Sequence, residues 1–166
     1  GRAELVLKNG GVANAINDLQ IFPNGRLTGD GQVNANLVRI FGSPTAHGTV
    51  DPGQPGQAGQ LAVNGNYLQD PDTVLQIDIA GNSGAGDPNG NDRLAVTQNV
   101  SLHGEMDVSL LGGFVPKYGE QYSVLTYGSR AGTFDKNNGT SLSNLRALAP
   151  VYDFAGNAQF VAAPDS

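Results

Sequence analysis

The sequence has no cysteine, no tryptophan, a single methionine, and only nine Lys and Arg among its 166 residues. Without cysteine there is neither a disulfide framework nor a thiolate metal site. With so few basic residues, none of them clustered, and a formal charge of −6, the chain has no means of neutralising a phosphate backbone. The same balance disfavours anionic membranes as partners. Charged residues make up 14%, against about 25% in ordinary soluble domains. That leaves too little Glu, Lys and Arg to coat the solvent faces of helices. No apolar run approaches the ~20 residues needed to span a bilayer, so no membrane insertion by this segment is expected. No signal-peptide pattern opens the chain; Gly1-Arg2-Ala3-Glu4-Leu5 reads like the interior of a longer polypeptide.

What is present is glycine (24 residues), proline (9) and abundant asparagine, punctuating short aliphatic bursts. Glu4–Leu7 runs into Asn9-Gly10-Gly11, Leu19–Phe22 into Pro23-Asn24-Gly25, Leu37–Phe41 into Gly42-Ser43-Pro44, Leu61–Val63 into Asn64-Gly65-Asn66, and Leu94–Thr97 into Gln98-Asn99. Each burst has strand length, and each stop uses residues that tolerate turn geometry. The starts at Leu5, Leu19, Leu37 and Leu61 form a loose repeat. Such spacing predicts β-solenoid coils, each turn supplying one small strand to each shared sheet. A β-sandwich also spaces short strands regularly and is the competing reading.

From residue 73 the pattern lengthens. Thr73–Ala80 and Val100–Leu110 alternate with a period of two, one face apolar and the other wet. They predict longer amphipathic strands in an open or antiparallel closing structure, dividing the chain into coils over 1–72 and closing strands with a cap over 73–166, continuous as one domain. Asp51–Gly59 and Gly81–Asp92 read as linkers, and Lys136–Leu148 as room for one short helix around Ser141–Arg146.

The order Gly48-Thr49-Val50-Asp51-Pro52-Gly53, then Gly59-Gln60-Leu61-Ala62-Val63-Asn64-Gly65-Asn66-Tyr67, Leu75–Gly81, Asp92–Val96, Gly113–Pro116, Tyr122–Thr126 and Gly132–Phe134 resembles the C-terminal end of autotransporter-type passenger repeats and related bacterial surface β-helix proteins. The likeness covers nearly the whole chain, most sharply residues 48–135. It implies a right-handed parallel β-helix with a capping region, secreted and displayed at the cell surface, and no catalytic residues.

Candidate chemistry is sparse. Asp87, Asn89, Asn91 and Asp92 cluster side-chain oxygens as calcium loops do, without the terminal Glu of an EF-hand; they predict either a weak calcium site, the sole cofactor expected, or a solvated Asx-rich turn. Asp78, Glu105 and Asp107, on wet strand faces, are solubilising acids unless a cleft pairs them. His47 and His103 have no nucleophile elbow to serve. Tyr67, Tyr118, Tyr122 and Tyr127 are candidates for a sugar-stacking platform, or for core positions. The sequence therefore predicts a non-enzymatic structural or surface-display domain, extracellular, with adhesive and self-assembling forms of that role. Its expected partners are other copies or flanking domains through strand edges, and glycans. The alternative is a carbohydrate-binding module of a larger secreted protein. A fragment of a polysaccharide-degrading β-helical enzyme is disfavoured by size.

Overall fold

Short alternating runs bounded by Gly, Asn and Pro become strands throughout. The computed structural model describes residues 2–142, 146–153 and 155–164, and among these there is no helix. Sheet A is built in the order β1 (Glu4–Leu7), β4 (Arg26–Gly29), β6 (Gly48–Pro52), β8 (Thr73–Ile79), β11 (Glu105–Leu110) and β14 (Lys136–Asn138). Every pairing in it is parallel. Sheet B takes the strands between: β2 (Val12–Asn14) and β3 (Asp18–Ile21), β5 (Gln32–Ile40), β7 (Gln60–Gln69), β9 (Arg93–Val96) and β10 (Asn99–Leu102), and β12 (Gln121–Thr126) and β13 (Ser129–Gly132). These too pair in parallel. The chain then ends in β15 (Ser141–Leu142), β16 (Arg146–Tyr152) and β17 (Asn157–Pro164), which pair antiparallel, β17 closing onto β12.

The polypeptide thus passes from sheet A to sheet B and back, each strand lying beside its counterpart one pass earlier. Partners in sheet A are 22 residues apart at Glu4 and Arg26 and 31 apart at Glu105 and Lys136. Long returns of this kind are what parallel pairing requires. The register lines up inward residues in rows. Leu5, Leu27, Val50, Leu75 and Met106 form one row in sheet A. Leu19, Val38, Tyr67 and Val100 form another in sheet B, and Ala13, Val33, Val63 and Val96 a third. The inner members of each row belong to one continuous core, with Leu5, Ala13 and Leu19 packed against it at its first layer. Fully burying one such aliphatic side chain stabilises by about 1.5–3 kcal/mol.

Sheet B bends in mid-strand. The register of β5 against β7 shifts between Asn34 and Leu37, where Gly65 (φ +147°) lies under the preceding pass. A Cβ on Gly65 would sit 1.8 Å from the Ala35 carbonyl oxygen, so only glycine fits.

Three expectations need correction. Residues 73–80 and 100–110 do not form an open or antiparallel closure: β8 pairs in parallel with β6 and β11. Alternation reports which face is wet, not the direction of the neighbouring strand. Parallel stacking therefore runs unbroken across residue 72 as far as β14. It stops where the rows lose their aliphatic members, at Asn137 beneath Met106 and Arg130 beneath Val100. Secondly, Asp51 and Pro52 belong to β6 rather than to a linker; Pro52 is its last residue, where a missing N–H costs least. Thirdly, none of the described residues of 136–148 is helical, and most lie in β14, β15 and β16; Ser143, Asn144 and Leu145, in the middle of the expected helix, lie outside the described residues.

Candidate functional site

The densest group of ionisable side chains forms where β6 and β8 leave sheet A. Asp51 and Asp78 come from the ends of those strands, and Asp92 precedes β9. One carboxylate oxygen from each lies within 4.8 Å of the others. All three residues are buried, at 3%, 7% and 0% exposure respectively. Arg26, at the start of β4, donates to the Asp51 carboxylate, with Glu4 3.7 Å from its Nε. Asp92 accepts from two backbone donors, the Gly59 N–H at 2.7 Å and the Asp78 N–H at 2.8 Å. It therefore ties the end of sheet A to the entry of sheet B. Gly53 lets the backbone close over it: a Cβ there would meet Asp92 Oδ1 at 2.9 Å and the Gln57 carbonyl at 2.5 Å. The Asp78 carboxylate receives no hydrogen bond among the described residues.

Burial dominates the protonation of this group. It lifts the Asp92 carboxyl to about 8, against the opposing pull of its two backbone N–H bonds and with help from the neighbouring charges of Asp78 and Asp51. It lifts Asp51 to about 6, with Arg26 holding it back. Asp78 is raised as well, again by burial. Near neutral pH the trio thus holds a proton, and the Arg26 guanidinium supplies its positive charge. Asp51, Asp78 and Asp92 are also the residues that could together ligate a metal ion among the described ones. The three carboxyls lie buried where the backbone closes over Asp92 at Gly53.

The structure disperses the residues singled out for calcium. Asp87 is exposed, and its Oδ1 accepts the Asn89 N–H at 2.8 Å, an Asx turn. Asn91 turns inward and donates to the Asp92 and Ser123 carbonyls. Asp92 points instead at Gly59 and Asp78. Of the four tyrosines only Tyr118 is exposed, at 66%. Tyr67 is buried with its hydroxyl donating to Gln69 Oε1 at 2.8 Å. Tyr122 is buried with its hydroxyl on Glu120 and Asn82, and Tyr127 is buried with its hydroxyl 3.3 Å from the Asp153 and Asn157 carbonyls. The four share no open face, because three of them fill the core and satisfy their hydroxyls locally.

Asp78, read as a wet-face acid, is buried. Glu105 and Asp107 are on a wet face, where Asn138 donates to both and Lys136 pairs with Glu105 at 2.7 Å. His47 Nδ1 lies 2.8 Å from the Asp72 carbonyl, and His103 lies 3.8 Å from Asp135 at the surface. The roles of Arg26 and Asp51 are not apparent from sequence. The available signal is three aspartates, each at the end or the beginning of an aliphatic burst, in a chain with very few basic residues to match them.

No protein-family model matches the sequence, and comparison with curated proteins gives no match.

Proposed function

We propose that this chain is a structural, surface-display domain of a secreted or cell-surface bacterial protein, each pass through sheets A and B being one coil of a right-handed β-solenoid, without enzymatic activity. The observation that carries this reading is the register of aliphatic rows, Leu5 to Met106 and Leu19 to Val100, stacked pass upon pass. Such a stack makes a stiff body without disulfides, suiting a cysteine-free chain. Among the described residues the aspartate trio is buried where the backbone closes at Gly53, which supports a scaffold. The resemblance to autotransporter-type passengers adds the cell surface.

In this reading the first layer is the docking edge. Leu5, Ala13 and Leu19 are only partly buried there, and Val12, Ile16 and Phe22 are exposed at 55%, 98% and 61%. The outer edges of β1, β2 and β3 are available to another strand, from a flanking domain or a second copy. Antibody raised against the folded domain tests the display reading: it labels intact cells of the producing bacterium. Labelling only after permeabilisation overturns it. A crystal structure in which the passes wind left-handed overturns the coil geometry.

A further inference from the structure

The bend in sheet B creates a groove of about 530 Å³ on the outer surface, lined by Asn14, Asn34, Asn36, Asn64, Asn66 and Gln98 above an Ala15 and Ala35 floor. No ionisable and no aromatic side chain lines it among the described residues. Its amides are held in a fixed array by the parallel register. Asn34 Nδ2 donates to Asn14 Oδ1 at 2.7 Å, and Asn64 Nδ2 donates to Asn34 Oδ1 at 2.8 Å. Gln32 Nε2 also donates to Asn34 Oδ1, at 2.7 Å. In the neighbouring row Asn66 Nδ2 donates to the Asn36 carbonyl at 3.0 Å, and its Oδ1 accepts the Asn99 N–H at 3.2 Å.

These bonds account for the ladder but leave much of its capacity unused. An amide offers two donors and an acceptor with two lone pairs. Neither the Asn36 nor the Gln98 side chain has a partner among the described residues. Asn14 Nδ2 and Asn64 Oδ1 stand at the two ends of the ladder, also unused. The result is a concave strip of oriented donors and acceptors, repeated at the ~4.8 Å spacing of adjacent strands, with no net charge. A ligand suited to it carries closely spaced groups that both donate and accept, and carries no charge that would go unpaired. Hydroxyl-rich chains meet that description. Nucleic acids and acidic polysaccharides do not, since no cation lines the groove to neutralise them.

We propose that this amide groove binds a neutral oligosaccharide, its sugar hydroxyls bridging the Asn14–Asn34–Asn64 ladder and the Asn36, Asn66 and Gln98 amides beside it. Binding uses hydrogen bonds rather than ring stacking, so Tyr118 has no part in it. The inference is independent of where the domain is displayed.

The test is a titration of the whole ¹⁵N-labelled chain with cellohexaose, mannohexaose and chitohexaose in turn, and with hexagalacturonate as the acidic control. The expected result is saturable movement of the Asn36, Asn64 and Gln98 side-chain amide signals with at least one neutral hexasaccharide, at a Kd of about 1 mM or tighter, and none with hexagalacturonate. The double variant N36A/Q98A weakens that binding about tenfold, while Y118A leaves it unchanged. Both variants alter only exposed side chains, and an unchanged melting temperature verifies that each is folded. The absence of saturable shifts with all three neutral sugars up to about 10 mM, equal response to hexagalacturonate, or shifts confined to residues outside the groove would each overturn the proposal.

Discussion

Burial holds the carboxyls of Asp92 and Asp51 at about 8 and about 6, well above the ~3.9 of an unfolded aspartate. The folded chain therefore keeps protons that the unfolded chain releases between those values. By linkage, stability is greatest below the unfolded value and is lost as pH rises through the folded ones. Denaturant titrations at pH 5 and pH 8.5 are expected to show the lower midpoint at pH 8.5. Equal midpoints would mean that the trio is ionised throughout. Asp78 is the member without a donor, so replacing it removes like-charge repulsion and breaks no hydrogen bond of its side chain. D78N is expected to stabilise by about 1 kcal/mol at pH 8, a rise of about 3 °C in Tm, and to flatten the pH dependence; a calorimetric scan reads both. Asp92 is different, since an amide there could accept only one of the two backbone N–H groups. Alternation puts Asp78 on the face opposite Leu75 and Ile77, yet it is buried there, beside the carboxyls of Asp51 and Asp92. Burial by residues distant in sequence leaves no mark in a strand's own periodicity, which is why the trio was not legible in the sequence.

At the scale of the strand, the inward rows were legible and the pairing was not. Leu19, Val38 and Val63 do share one interior, as their aliphatic bursts imply. Which bursts lie side by side, and in which direction, depends on returns through the other sheet, and β8 and β11 carry the same alternation that an antiparallel ribbon would. The rows set the cost of damage. Leu27 is fully buried between Leu5 and Val50, so Leu27→Ala is expected to lose about 3 kcal/mol, measured by the denaturant midpoint. Turns separate into two kinds. Gly65→Ala forces a Cβ into the Ala35 carbonyl and is expected to cost about 3 kcal/mol or more. Gly56→Ala, at φ +71° with open space around it, is expected to cost only about 1 kcal/mol, the left-handed penalty alone. Equal losses at the two glycines would show that close approach does not govern the bend.

At the scale of the molecule the two ends differ in character. The first layer leaves Leu5, Ala13 and Leu19 half-covered, whereas the other end substitutes Asn137 and Arg130 for aliphatic residues and folds β17 back over β12. Alternation predicts antiparallel closure from residue 73, whereas antiparallel pairing is confined to β15, β16, β17 and the edge of β12, because the long wet-faced strands at 73 and 100 do not reveal the direction of their partners. Unlike the cap, the body of the stack ties each layer only to the layers immediately before and after it. Under tension applied through the termini, that arrangement should yield like beads drawn from a string rather than as a single rupture. One layer contributes from 22 residues, between Leu5 and Leu27, to 31, between Leu75 and Met106, or roughly 70–100 Å of extended chain, and optical-trap records should display a staircase whose treads lengthen within that range.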